Sequence, residues 1–256
     1  MPAHDLPLLI DAAKAASKIA LRYWRSDQRV VDKPDGAGPV SEGDLAVDAA
    51  LKEQLMRARS GYGWLSEETE DTPERLSQDR VFIVDPIDGT RSYVDGQETW
   101  AHSLAVVENG QPTAAVVYLP ARDKLYAAAL GQGATLNGEA ISCGTRRLAD
   151  GATILVPKGN LDPQHWRGSV PAFDRHFRPS LAYRLCLIAD GRFDVMLTLR
   201  DAWEWDIAGG ALIAAEAGAQ ITDRLGAPLL FNSKRAKTSG VLTTNAALHA
   251  EVLDRL

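Results

Sequence analysis

A short, wholly apolar run at residues 81–84, Val-Phe-Ile-Val, constrains the fold more than any other feature of this chain. A run without alternation is typical of a β-strand that is buried on both faces. Asp85 and Pro86 follow it directly. Because proline has no amide hydrogen to donate to a neighbouring strand, the sequence predicts that this strand stops at Asp85–Pro86.

The rest of the first half predicts two helices and an antiparallel sheet. An amphipathic helix opens the chain, and a second helix covers residues 44–59, entered through Ser41. Residues 33–39, rich in glycine and proline, are predicted to form a loop. An Asn137-Gly138 pair between apolar residues predicts a hairpin. Further strands are predicted at residues 63–66, 102–107, 113–119 and 125–129.

The second half alternates strands with helices, which favours a more parallel α/β layer. The predicted strands cover residues 153–156, 193–199, 219–222 and 241–244. The predicted helices cover residues 180–190, 206–217 and 246–256. No linker is long enough to hold the halves apart. We therefore expect an N-terminal α+β half over residues 1–142 and a C-terminal α/β half over residues 143–256, with a shared interface of the kind that favours active sites.

Composition excludes several classes of protein. The net charge is −6, with no long run of one sign, which argues against a nucleic-acid partner. No stretch reaches 18 unbroken apolar residues, so the sequence predicts no membrane span. Two cysteines are too few for a disulfide framework and suit a reducing compartment. The sequence therefore predicts a cytoplasmic protein.

Acidic residues stand where several predicted elements begin or end. Asp85 and Asp88 lie three positions apart at the end of the apolar strand, and Gly89 and Thr90 follow. At that place the carboxylates could bind a cation, and the amides of Gly89 and Thr90 could bind an anion. The alternative is that Asp85 and Asp88 only satisfy a turn and cap a short helix.

Three other acids are ambiguous when each is taken alone. Glu67 ends a predicted strand, where an acid is usually only solvated. Asp206 opens a helix, where it would complement the helix dipole. Asp44 stands three residues after Ser41, which resembles a capping box. The residues alone leave the structural and the chemical interpretation open.

Together these segments resemble the inositol monophosphatase superfamily. The motifs are GWLSEET at residues 63–69, VDPIDGT at residues 84–90 and EWDIAGGALIAAEAG at residues 204–218, in the order that the superfamily has. PVSEGD at residues 39–44 and GATLNGEAI at residues 133–141 extend the resemblance over nearly the whole chain. It implies an α/β (α+β) fold, a layered αβαβα sandwich of the inositol monophosphatase/fructose-1,6-bisphosphatase type.

The resemblance also implies a chemistry and the residues that perform it. It implies a magnesium-dependent phosphomonoesterase with two or three Mg²⁺ ions and inhibition by lithium. Asp44 and Thr90 would polarise the attacking water, with help from Glu67, and Gly89 and Thr90 would contact the phosphate. The implied metal ligands are Glu67, Asp85, the main-chain carbonyl of Ile87, Asp88 and Asp206.

A covalent phosphatase of the haloacid dehalogenase type is the alternative enzyme class. Those enzymes carry a D-x-D-G-T pattern, whereas this chain has D-x-x-D-G-T with proline after the first acid. The second acid is therefore displaced by one residue. That spacing, together with Glu67 upstream and the predicted helix that begins at Asp206, directly after Trp205, downstream, disfavours attack by an aspartate.

The substrate is predicted from smaller details. Inositol monophosphatases typically place a glutamate seven residues before the last metal-binding aspartate, and this chain has Leu199 there. LSEE and EWD resemble the bisphosphate nucleotidases, called CysQ in bacteria. We therefore expect 3′-phosphoadenosine 5′-phosphate as substrate, with its base near Trp203. Inositol 1-phosphate is second and histidinol phosphate third. The resemblance also admits a homodimer, and a regulatory role beside transcription machinery.

Overall fold

The computed structural model describes residues 4–36 and 38–256. Residue 37, within the predicted loop, lies outside them. The flanking residues form two short strands and a 3₁₀ turn at Pro34–Gly36. The described helices are α1 (Asp5–Tyr23), α2 (Glu42–Ala58), α3 (Thr90–Val94), α4 (Leu181–Ala189), α5 (Glu204–Glu216) and α6 (Ala246–Asp254).

The strands divide between one large sheet, one smaller sheet and two short ribbons. Those of the first half are β1 (Val30–Asp32), β2 (Pro39–Ser41), β3 (Gly63–Ser66), β4 (Arg80–Asp88), β5 (Ala101–Glu108), β6 (Gln111–Leu119), β7 (Lys124–Ala129), β8 (Ala134–Leu136) and β9 (Glu139–Ile141). Those of the second half are β10 (Thr153–Leu155), β11 (Asp174–His176), β12 (Val195–Thr198), β13 (Ala202–Trp203), β14 (Ala219–Thr222), β15 (Lys237–Thr238) and β16 (Val241–Asn245).

The large sheet has seven strands in the order β3-β4-β5-β6-β7-β8-β9. Only the β3–β4 pair is parallel, and every later pair is antiparallel, which confirms the antiparallel character predicted for this half. The predicted hairpin joins β8 to β9. Asn137 and Gly138 have φ values of 51° and 87°, the positive values that a two-residue hairpin turn of type I′ requires.

The smaller sheet has five strands in the order β11-β10-β12-β16-β14. Its first three strands run parallel, whereas β16 is antiparallel to both β12 and β14. The sheet is therefore mixed rather than wholly parallel.

Five layers stack in the order that the sequence predicted. α1 and α2 cover one face of the large sheet, α4 and α5 lie between the two sheets, and α6 covers the outer face of the smaller sheet. Gly209 and Gly210 let α5 approach its neighbours closely. A Cβ atom on Gly210 would lie 2.6 Å from Cβ of Leu185 on α4, so a side chain at that position would force the helices apart. The αβαβα sandwich is confirmed.

Several predicted boundaries are wrong. β4 does not stop at Asp85–Pro86 but continues through Asp88, because a β-bulge between Asp85 and Asp88 takes Pro86 out of the regular ladder. α2 begins at Glu42 and α5 at Glu204, each two residues before its predicted start. The division of the chain at residues 142 and 143 stays a prediction.

Among the helices of the described residues, none combines the length and the apolar character needed to cross a membrane.

Candidate active site

The bulge in β4 delivers two carboxylates to one end of the large sheet. On the β5 side, Asp85 pairs with Ser103 and Asp88 with Ala101, so two residues of β4 face the single residue His102. The His102 ring contacts the main-chain oxygen of Pro86 and thereby fixes the bulge. A bulge re-aims the side chains around it, which is why such irregularities occur next to active sites.

Asp206, in the first turn of α5, completes a cluster with these two acids. Carboxylate oxygens of Asp85, Asp88 and Asp206 all lie within 4.8 Å of one another. Asp85 and Asp88 are buried, and Asp206 is half-buried. The Asp88 Oδ2 atom accepts hydrogen bonds from Ser180 Oγ at 2.7 Å and from the Ala182 amide at 2.6 Å. The sequence prediction that these three acids meet is matched by their positions.

Electrostatic repulsion within the cluster is strong. Burial, followed by the charges of neighbouring carboxylates, raises the pKa of Asp85 and of Asp206 well above the usual range. Burial also raises the pKa of Asp88 to about 6, although its hydrogen bonds from Ser180 and from backbone amides oppose the shift. Two like charges 4 Å apart repel by about 4 kcal/mol at an effective dielectric of 20. A bound cation would remove this cost.

Asp44 and Thr90 form a second part of the site. The Thr90 hydroxyl donates to Asp44 Oδ1 at 3.1 Å, and its oxygen lies 3.3 Å from the main-chain carbonyl oxygen of Ile87. The other Asp44 oxygen accepts from the amide and the hydroxyl of Ser41, which confirms the capping box at the start of α2. Burial raises the pKa of Asp44 to about 6.

Glu67 lies at the same cleft but is held by a lysine that the sequence analysis did not identify. The Lys33 Nζ atom lies 2.7 Å from Glu67 Oε1 and 2.7 Å from Glu68 Oε1. The pKa of Glu68 is raised to about 7, and burial is the largest cause of this shift. The loop that carries Glu67 and Glu68 is held by Asp48, whose carboxylate accepts hydrogen bonds from the hydroxyls of Ser66 and Thr69. Asp48 follows Asp44 by one turn of α2, and this spacing is the sequence feature by which Asp48 could have been identified.

The three clustered carboxylates line a cleft of about 660 Å³, whose walls come from both predicted halves of the chain. Its lining includes Glu67, Asp85, Asp88, Gly89, Thr90 and Asp206. It also includes three arginines, Arg91, Arg184 and Arg200, which the sequence analysis missed. Arg184 could have been found as the one charged residue in the helix sequence LAYRLCLIA.

The structure does not bring Leu199 and Trp203 into the lining of this cleft. Leu199 follows β12 on the face shared by Val195 and Leu197, and it packs into the outer core under α6. The next residue, Arg200, has the opposite orientation and lines the cleft. Trp203 stacks on Trp205 with 4.5 Å between ring centroids, and Lys237 Nζ lies 3.7 Å from the centroid of its ring.

Comparisons with known proteins agree with this geometry. The model of the inositol monophosphatase family matches residues 3–255. The chain is 34% identical to an inositol-1-monophosphatase of Rhizobium meliloti, over 83% of this chain and 82% of that protein. It is 30% identical to a histidinol-phosphatase of Mycobacterium tuberculosis, over 100% of this chain and 99% of that protein.

A solved structure, the IMPase of Thermotoga maritima, superimposes with a TM-score of 0.83 at 25% identity, over 99% of this chain and 96% of that chain. The five-layer architecture is therefore shared with an enzyme of this type. With the family model spanning almost every residue and the acids of its motifs converging on one cleft, the chain belongs to the inositol monophosphatase family, whose members are magnesium-dependent phosphomonoesterases.

Proposed function

We propose that this cleft hydrolyses a small phosphomonoester with a water molecule as the nucleophile. The observation that carries the proposal is the cluster of Asp85, Asp88 and Asp206, in which the buried Asp85 Oδ1 atom has no hydrogen-bond partner among the described residues. A buried carboxylate oxygen surrounded by like charges fits a cation site, and oxygen ligands of this kind suit magnesium rather than zinc.

The proposed ligands are those implied by the motifs: Glu67, Asp85, the Ile87 carbonyl, Asp88 and Asp206. Magnesium bound there would lower the pKa of a water molecule, so that the water loses a proton more easily and attacks as a stronger nucleophile. It would also stabilise negative charge on the leaving oxygen. The number of ions, two or three, is part of the proposal. When Glu67 becomes a metal ligand, Lys33 would give up its contact with Glu67 and form a contact with another group.

Asp44 and Thr90 are proposed to position the attacking water. Because the Thr90 hydroxyl donates to Asp44, its oxygen is left to accept a hydrogen bond from the water. As the water oxygen bonds to phosphorus and the bond to the leaving oxygen breaks, the proton of the water passes toward Asp44. A carboxylate with its pKa raised to about 6 is well suited to accept it. The amides of Gly89 and Thr90 are proposed to contact the phosphate.

For the substrate, we propose 3′-phosphoadenosine 5′-phosphate. The half-exposed ring of Phe177 lines the cleft and offers a stacking surface for adenine, a role that the sequence analysis had given to Trp203. Arg200 lines the wall of the cleft next to Leu199, the residue at the position where inositol monophosphatases typically have a glutamate for the sugar hydroxyls. Neither relative named above is described as a nucleotidase. Inositol 1-phosphate is the second candidate, favoured by the likeness to the Rhizobium meliloti protein.

A side-by-side assay with magnesium tests this choice. We expect kcat/KM for 3′-phosphoadenosine 5′-phosphate to exceed that for inositol 1-phosphate by at least about tenfold, and histidinol phosphate to rank third. Base stacking on an aromatic ring is worth about 1–3 kcal/mol, so Phe177→Leu should lower the nucleotide value at least about fivefold. Phe173→Leu, at a partly buried phenylalanine outside the cleft lining, is the matched control.

A preference of the wild type for inositol 1-phosphate would overturn the nucleotidase proposal and leave the metal site untouched. Lithium inhibition, a homodimer and a cytoplasmic location stay predictions from the sequence. A separate regulatory role beside transcription machinery would show as a function that survives in a variant without turnover.

A further inference from the structure

Two arginines that the proposed chemistry does not use line the cleft beside the carboxylates. Arg184, on α4, is only 5% exposed. It donates through Nε to the Arg178 carbonyl and through Nη2 to the Pro179 carbonyl, and its guanidinium lies 4.3 Å from the centroid of the Phe177 ring. Arg200, two residues after the end of β12, is exposed. Within residues 4–36 and 38–256, neither guanidinium forms an ion pair with a carboxylate.

A purely structural role explains only part of this arrangement. The two carbonyl contacts of Arg184 hold the turn that precedes α4. Neither carbonyl neutralises the buried positive charge, and the nearby charges of Asp88 and Asp206 favour it without an ion pair among the described residues, so its burial is only partly offset. Burial is the main cause that lowers the pKa of Arg184 to about 10; the charge of Asp88 opposes this shift, and the repulsion by Arg200 adds to it. Two cations held near each other at the wall of a cleft are typical of a site for an anion.

The position of the pair within the cleft shows which part of a substrate it would meet. Arg184 interacts with Asp88 and Asp206, and Arg200 interacts with Asp206. In-line displacement puts the leaving group opposite the attacking water. Both arginines line the cleft that holds the carboxylates, and apart from the phosphate that is cleaved, the leaving group is the only part of a phosphomonoester that they could contact.

We propose that Arg184 and Arg200 form a subsite for a second anionic group, a phosphate or a carboxylate, carried by the leaving group of the substrate. This inference rests on the proposed phosphatase function. It narrows the substrate class to phosphomonoesters that are themselves anions elsewhere. A neutral leaving group such as inositol would leave both guanidinium groups without a partner, and the ammonium group of histidinol would be repelled.

Two pairs of substrates test the subsite. Adenosine 3′,5′-bisphosphate and adenosine 3′-monophosphate differ only in the 5′-phosphate, and 3-phosphoglycerate and glycerol 3-phosphate differ in a carboxylate. In the wild type, we expect kcat/KM to be at least about tenfold higher for the doubly anionic member of at least one pair, and the pair identifies the anion. Arg200→Gln should lower that ratio at least about fivefold, and Arg147→Gln, an exposed arginine outside the cleft, should leave it unchanged.

Arg184→Lys keeps the positive charge and should keep part of the kcat/KM ratio between the two members of a substrate pair. Thermal unfolding checks that this variant is folded. Calorimetric binding of the two nucleotides gives the same comparison without turnover. Equal losses on both members of each pair in Arg200→Gln would overturn the proposal, because the arginine would then contact the phosphate that is cleaved. An unchanged ratio would overturn it too. Absence of any turnover with magnesium would instead count against the proposed phosphatase function.

Discussion

Replacement of Asp88 by asparagine is expected to lower kcat/KM at least about a thousandfold while the protein stays folded. The substitution removes one of the three clustered carboxylates and with it both charge and alignment at the metal site, a loss of about 4 kcal/mol or more in transition-state stabilisation. The asparagine oxygen can still accept from Ser180 and from the Ala182 amide. Steady-state kinetics on a phosphomonoester with magnesium, together with thermal unfolding, measure both effects.

Asp79→Asn is the matched control, because Asp79 is an exposed acid just before the same strand. Its kcat/KM should stay within about twofold of wild type. If Asp88→Asn kept activity within tenfold, Asp88 would not be a metal ligand in the reaction.

Asp85→Asn is expected to abolish turnover and yet stabilise the metal-free protein. The pKa of Asp85 is raised in the folded state, so the buried carboxylate costs stability once the pH exceeds its usual pKa. The cost is absent below about pH 4 and is larger at neutral pH. An asparagine has no charge, and its amide can donate to Asp206. Relief of about 1 kcal/mol or more would raise Tm by about 2–4 °C in a protein of this size.

Thermal unfolding in chelator at pH 4.5 and at pH 7.5 measures this effect in the wild type and in Asp85→Asn. The advantage of the variant should grow between the two pH values, and added magnesium should raise Tm less in the variant than in the wild type. A variant that is less stable than wild type at pH 7.5 in chelator would show that burial of the Asp85 carboxylate beside other carboxylates does not destabilise the protein.

Local chemistry explains why much of the fold could be predicted. Asn137-Gly138 specifies a hairpin turn through its own backbone preferences, and Ser41 with Asp44 specifies a helix start. The apolar run at residues 81–84 was correctly predicted as a buried strand. These features depend on neighbouring residues, so the sequence alone carries them. The acids of the motifs meet because each stands at the end of an element that the shared fold brings to one cleft.

Features that depend on distant contacts could not be predicted. The alternation of side chains along β12 decides that Arg200, not Leu199, faces the cleft, and a difference of one residue reverses the orientation. Lys33 reaches Glu67 and Glu68 from 34 and 35 positions away, with no pattern in the sequence to connect them. The bulge that carries β4 past Pro86 depends on its pairing with β5.

The most direct test of the metal site is turnover of the purified wild-type protein in chelator and again after magnesium is restored. The clustered carboxylates predict that hydrolysis falls to background without divalent metal and returns when Mg²⁺ is added in excess of the chelator. Undiminished hydrolysis in chelator would contradict the metal-dependent mechanism.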